Sequence, residues 1–286
     1  MPRRPALSLI VPARNGLDEI GPVLDAAVPQ ALQTGSEIIV VGRVNGLAPD
    51  PVRLVRTDDP DLFRLHQAGL QAARGEIVAI GEDHAVPRPD WFDAVIRAHA
   101  EHADTPGVAG CLINGTEGTV SARAMFLVFG AGYQPPLPEI APYPPPVSSL
   151  SVKRSALSGL DGAVGRFESE VVPRLHAAGQ IVPDDRIVVD HYQDHGILPS
   201  VTQAFHSART GYGYQHPHLG ARERRRVAWW ALRKWPPLII RQALSLTRGQ
   251  RQAADLALLV VLALALGLGG AMGALAGPGR SPDLVA

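Results

Sequence analysis

Glu82, Asp83 and His84 stand together directly after the apolar run Ile77-Val78-Ala79-Ile80 and the glycine that ends it. Carboxylates and imidazoles are the side chains that ligate divalent cations and carry protons, so three of them in succession predict a site. The run before them is partly β-branched and reads as a buried strand. In open α/β sheets ligands bind beyond the carboxyl ends of the strands, where this cluster falls. The competing reading is a polar turn between strand and helix, with Asp83 or His84 capping the next element. Further along, Phe205-His206-Ser207-Ala208-Arg209 puts a histidine and an arginine three residues apart, on one face of a helix if the segment is helical. An arginine so placed can pair bidentately with phosphate.

The elements that must position these groups are legible from periodicity. Residues 7–11 read as a first strand and 18–31 as a helix, with Ile20, Val23, Leu24, Ala27 and Val28 on its apolar face. Residues 37–41 and 52–55 read as further strands. Residues 61–74 read as a helix with Leu62, Leu65, Gly69, Leu70 and Ala73 on one side, ended by Gly75. Strands alternating with helices of this length predict an α/β fold built on βαβ units, with a parallel sheet covered on both faces. A helix over 90–102 and a strand over 107–114 come next. Residues 121–130 are apolar and fit either helix or strand. Proline recurs too often in 134–146 for regular structure, which predicts an extended loop of the kind that serves as a lid. Residues 148–152 look extended, 167–178 helical but bent or divided at Pro173, and 187–189 a last strand before the polar run that starts at Asp190.

The chain of 286 residues carries 27 basic and 27 acidic side chains, so its overall charge names no partner and gives no nucleic-acid footprint. The single cysteine, Cys111, rules out an internal disulfide framework. The basic N-terminal start is interrupted at Pro12, Arg14 and Asn15, too early for the apolar core of a signal peptide. Residues 256–276 are uncharged and long enough to cross a hydrocarbon core of roughly 30 Å, which predicts a transmembrane helix; a buried, glycine-rich core helix is the alternative. Gly267, Gly269, Gly270 and Gly273 within it permit close packing against another helix. Basic residues gather before the span, from Arg222 to Arg251, with Arg280 beyond it, which places the N-terminal bulk in the cytoplasm. The tryptophans and arginines of 228–240 suit a helix in the headgroup layer, or a short membrane-dipping one.

Taken in order, the chain resembles the family 2 inverting glycosyltransferases of the GT-A fold, a Rossmann-like mixed sheet. The residues carrying the resemblance are 9–15 (Leu-Ile-Val-Pro-Ala-Arg-Asn), 37–41 (Glu-Ile-Ile-Val-Val), 69–80 with the Glu-Asp-His after it, and Pro87-Arg88-Pro89-Asp90-Trp91. It covers roughly 6–210 and implies a domain over 1–215, a basic interfacial segment over 216–254, a transmembrane helix over 255–277 and a short tail over 278–286. It also implies a nucleotide-sugar donor, a lipid-linked or cell-envelope glycan as acceptor, and a single-pass membrane protein with its catalytic domain in the cytoplasm.

By that resemblance a divalent cation, Mn²⁺ or Mg²⁺, bridges the donor diphosphate and offsets the charge of the leaving group. Asp83 is expected to be its principal ligand, with His84 and His191 as metal-side histidines and Glu82 assisting or touching the donor. The family's general base falls on Glu168, counted back from Arg174-Leu175, with Glu170 as second choice; both also fit as first-turn acids favoured by a helix dipole. Pro12, Arg14, Asn15, Arg43, Glu82 and Arg209 are expected on the donor side. Where relatives carry aspartates after the second strand, this chain has Gly42-Arg43-Val44-Asn45-Gly46. A catalytically silent GT-A domain that serves as a membrane-bound binding partner is therefore the second expectation.

Overall fold

The computed structural model describes residues 4–46, 48–116, 118–139, 143–158, 164–193, 195–246 and 253–285. Residues 140–142 of the proline-rich segment, and Arg248 and Arg251 of the basic stretch, lie outside them. The elements run β1 (Leu7–Ala13), α1 (Gly21–Thr34), β2 (Glu37–Gly42), β3 (Val52–Arg56), α2 (Leu62–Ala72), β4 (Ile77–Ile80), β5 (Ala85–Pro87), α3 (Trp91–Glu101), β6 (Gly107–Asn114), α4 (Val120–Phe129), β7 (Leu150–Lys153), α5 (Val172–Ala177), β8 (Ile181–His191), α6 (Ile197–Gln215), α7 (Ala221–Arg233), α8 (Trp235–Leu246) and α9 (Ala253–Ala276). They divide into two compact units, Met1–Ile113 with Tyr133–His191, and Asn114–Gly132 with Tyr192–Ala286. Within the second unit, α4 and α6 pack with the C-terminal helices.

The first unit is α/β, as the alternation of periods predicts. Its sheet has the order β3-β2-β1-β4-β7-β6-β8-β5. β1, β2, β3 and β4 are parallel, but β7 runs antiparallel to β4 and β6, and β5 antiparallel to β8, so the sheet is mixed, as the GT-A resemblance implies, rather than wholly parallel as the alternation alone predicts. Every residue of β1 and β2 is buried, which explains their unbroken apolar runs. The exception inside this wall is Glu37. It accepts from Ser8 Oγ at 2.7 Å, from Arg53 at 2.7 Å and from the Arg74 amide at 2.6 Å. Burial opposes its ionisation, but these bonds and the Arg53 charge outweigh it and hold the carboxyl below the usual range.

Two local features aim side chains at the ends of the parallel strands. Asp61 caps α2, accepting from the amides of Phe63 at 2.8 Å and Arg64 at 3.3 Å. Ile10, Val78, Ile80 and Leu65 share one core cluster with Phe167, Val171 and Leu175, so the segment around Phe167 is anchored on β1, β4 and α2. That segment forms a π-helical turn, Phe167–Val171, that leads into α5 with Pro173 in its first turn. The expected bend at Pro173 is thus a change of helical type. Two strand features lie beyond the periodicity. β5 is a three-residue strand in a polar stretch, and β8 is longer than 187–189, extending through its charged residues to His191.

The second unit is helical. The ambiguous segment 121–130 is helix α4, begun by Thr119, whose hydroxyl accepts from the Ala122 amide. α9 packs on α4, α6, α7 and α8. A Cβ at Gly269 would lie 2.1 Å from the Phe205 carbonyl oxygen, and one at Gly273 would lie 2.3 Å from that of Arg209. The α6 and α9 backbones therefore touch at these glycines, as small residues four apart allow. Where α9 begins, buried Asp255 takes a bidentate grip from Arg123 of α4, at 2.9 and 3.1 Å. α9 is long and apolar enough to cross a membrane, with a mean hydropathy of 2.4 over its most apolar window, of which 56% is buried within the chain. The expected span is therefore faced by protein on one side. Its other side exposes Val260, Val261, Leu264, Leu268, Met272 and Leu275.

Candidate metal and acid–base site

The register of the outer strands makes the site. β5 pairs with β8 so that Ala85 stands opposite His191, which carries the histidine of β8 to the residues just beyond β4. Arg88 and Asp190 brace this corner with two bonds of 2.8 and 2.9 Å. On the other strand, the Gly81 amide donates to the Ile10 carbonyl at 2.7 Å, which ends β4 firmly before the cluster emerges.

Three ligand atoms converge there. His191 Nε2 lies 2.8 Å from Glu82 Oε2 and 3.2 Å from His84 Nε2, and the latter lies 3.5 Å from Glu82 Oε2. One carboxylate oxygen and two imidazole nitrogens thus fall within 4.8 Å of one another, close enough to share one cation. Asp83 stands behind them, bonded through Oδ1 to His84 Nδ1. That contact fixes the ring so that Nε2 faces inward, the part outer-sphere carboxylates play for metal-bound histidines. Burial opposes ionisation of Glu82, yet the His191 hydrogen bond and the positive charges of His191, His84 and His66 hold its carboxyl down to about 2. Burial likewise opposes protonation of His84, but the Asp83 bond and the charges of Glu82 and Asp83 raise it. The cluster is thus an ionised carboxylate facing two imidazoles, a donor set that can hold a divalent cation once the rings have lost their protons.

Glu168 occupies the π-helical turn and is 17% exposed. Its Oε1 lies 2.7 Å from Nδ1 of His66, which is itself 3% exposed. Glu170 points elsewhere, paired at the surface with Arg166 at 2.7 Å. Periodicity alone misses His66, although a signal is present: it sits four residues after Leu62 and three before Gly69, on the apolar face of α2.

The other expected residues are more scattered. Pro12 is buried in β1, Arg14 is half-buried after it, and Asn15 donates to Glu19 Oε1 at 2.8 Å. Gly42, at φ +147°, comes so near Ala13 that a Cβ there would stand 2.1 Å from its carbonyl oxygen. Arg43 is exposed on the loop it opens and approaches Asp58 at 3.9 Å. His206 and Arg209 are on α6 in the helical unit, where His206 meets Ser281 at 2.9 Å and Arg209 donates to the Gly277 carbonyl.

No protein-family model matches the chain, and no curated protein matches it either. Among solved structures, glucosyl-3-phosphoglycerate synthase from Mycobacterium tuberculosis, in complex with Mn²⁺, uridine diphosphate and glucosyl-3-phosphoglycerate, is similar at 17% identity and a TM-score of 0.47 over 74% of this chain and 78% of that one. TarS of S. aureus, residues 1–349 with UDP-GlcNAc, is similar at 12% identity and a TM-score of 0.45 over 82% and 79%. Likeness of this degree leaves function to be argued from the site itself.

Proposed function

We propose that the chain is an inverting glycosyltransferase of the GT-A fold that transfers a sugar from a nucleotide-sugar donor to a hydroxyl of a lipid-linked or cell-envelope acceptor. The observation that carries this reading is the convergence of Glu82, His84 and His191 beyond β4, in the same unit as a half-buried carboxylate, Glu168, where the family resemblance puts a base.

Glu82, His84 and His191 would hold the divalent cation, and their two nitrogens and one oxygen suit Mn²⁺ better than Mg²⁺. When bound, the cation supplies charge that stabilises the departing nucleoside diphosphate. Asp83 keeps His84 aimed at it. Glu168 takes the proton from the acceptor hydroxyl as that oxygen bonds to the anomeric carbon. The bond from that carbon to the diphosphate oxygen breaks on the opposite face, so configuration inverts. Pro12, Arg14 and Asn15 at the end of β1, with Arg43 on the loop after β2, line the donor side in this reading.

The helical unit supports attachment to a membrane. The outward face of α9 is a continuous apolar stripe, and α7 exposes Trp229 and Trp230 among Arg225, Arg226, Arg233 and Lys234. Aromatic rings beside basic residues suit the headgroup layer of an anionic bilayer. A membrane-held enzyme is suited to acceptors that are themselves held in the membrane.

The test is incubation of the full-length protein with a panel of nucleotide sugars, Mn²⁺ and membrane lipid extract. Release of a nucleoside diphosphate together with glycosylated lipid is expected. A second reading, a silent GT-A domain that binds another envelope protein, draws on the absence of a carboxylate in 42–46. No turnover of any donor, with no metal-dependent nucleotide binding, would favour it.

A further inference from the structure

His66 is a buried titratable group of the first unit to which the chemistry above gives no task. It rises from α2 with 3% of its surface exposed, and Nδ1 meets Glu168 Oε1 at 2.7 Å. Its Nε2 is buried with no hydrogen-bond partner among the described residues. An imidazole buried merely as filling costs the hydration of that nitrogen without return. Glu168, for its part, sits on a π-helical turn, a wider geometry that recurs where a side chain must be redirected toward a site. The turn is pinned from below by Phe167 and Val171 in the core that also holds Leu65, the neighbour of His66. Backbone and ring therefore fix the carboxylate from two sides.

We infer that His66 is a positioning residue for Glu168: its Nδ1–H holds one carboxylate oxygen so that the other is presented to the acceptor hydroxyl. The inference rests on the glycosyltransferase reading with Glu168 as base. With Oε1 engaged, only Oε2 is left to take the proton, and the rotamer that would turn the carboxylate away loses a charge-assisted bond.

Three variants of the full-length protein test this. An asparagine amide nitrogen reproduces the position of Nδ1, whereas leucine fills the space without a donor. His66→Leu should lower kcat about 100-fold while KM for the donor and Kd for Mn²⁺ stay within about twofold, as expected for a lost orientation of a general base. His66→Asn should recover kcat to within about tenfold of the parent. Equal losses in both variants, or a His66→Leu defect confined to donor KM or to Mn²⁺ affinity, would overturn the assignment. The pairing has its own readout, independent of turnover: the ring ¹⁵N shifts of His66 should move in Glu168→Gln, and unmoved shifts would refute the contact. If the wild type turns over no donor, the glycosyltransferase reading fails, and the NMR result alone decides whether the pairing exists.

Discussion

Each carboxylate near the site has a distinct neighbourhood, and the neighbourhoods predict distinct phenotypes. Glu82→Gln removes the oxygen on which both histidines converge and should abolish measurable Mn²⁺ binding in a calorimetric titration. Asp83→Asn leaves the three ligand atoms in place but loosens the His84 ring, so Mn²⁺ affinity should fall about 10–100-fold, the usual effect of losing an outer-sphere partner. Glu168→Gln should reduce kcat about 10²–10⁴-fold with donor KM unchanged, whereas Glu170→Gln, whose parent side chain is engaged with Arg166 at the surface, should leave kcat within twofold. The residue types at 82–84 are legible in the sequence because they follow a strand end directly, whereas Glu168 is picked out as a base only by the family resemblance, counted back from Arg174-Leu175. The approach of His191 to His84 is not legible there, because His191 arrives from β8, 107 positions away. His99 gives a separate handle on the first unit. Burial, aided by the charges of Lys153 and His102, holds its imidazole down to about 4, so it is neutral in the fold. Between the unfolded value near 6.5 and about 4, the unfolded chain takes up a proton that the fold refuses. Stability present above pH 6.5 is therefore lost as pH falls, by up to about 3 kcal/mol. Urea titrations at pH 7.5 and 4.5 should show this loss, and His99→Leu should flatten it.

Elements are most legible where one face is buried and the other is not. α2 and α3 announce themselves through their apolar stripes, and β1, β2 and β4 through unbroken apolar runs. β5 escapes because three residues cannot show a period, and α4 because a helix buried on most sides is as apolar as a central strand. The glycines of 256–276 predict close helix packing, and the structure supplies the partner: α6 approaches until Gly269 and Gly273 touch its carbonyls. Gly273→Leu should therefore separate α6 from α9, seen as loss of helical signal at lower temperature by circular dichroism. The Arg123–Asp255 pair is a second lock on α9. Asp255→Ala removes the carboxylate that Arg123 grips and should lower stability, read from thermal or denaturant unfolding in detergent.

At the scale of the molecule, the sequence distinguishes an α/β portion from an apolar helical one, but not where the chain changes hands. The boundary is set by contacts that bring 114–132 to the C-terminal helices, and such pairings leave no trace in local periodicity. For the helical unit, the exposed stripe of α9 and the tryptophans of α7 predict binding to vesicles containing anionic lipid, with a blue shift of tryptophan emission; Trp229→Ala with Trp230→Ala should weaken that shift. For the α/β unit, the central claim is that the cluster beyond β4 binds a cation together with a nucleoside diphosphate. Titration calorimetry of the full-length protein with nucleoside diphosphates, with and without Mn²⁺, tests it most directly. Binding that requires Mn²⁺ in the wild type and vanishes in Glu82→Gln is the predicted result. Nucleotide binding indifferent to Mn²⁺ and to Glu82, or none at all, would contradict it.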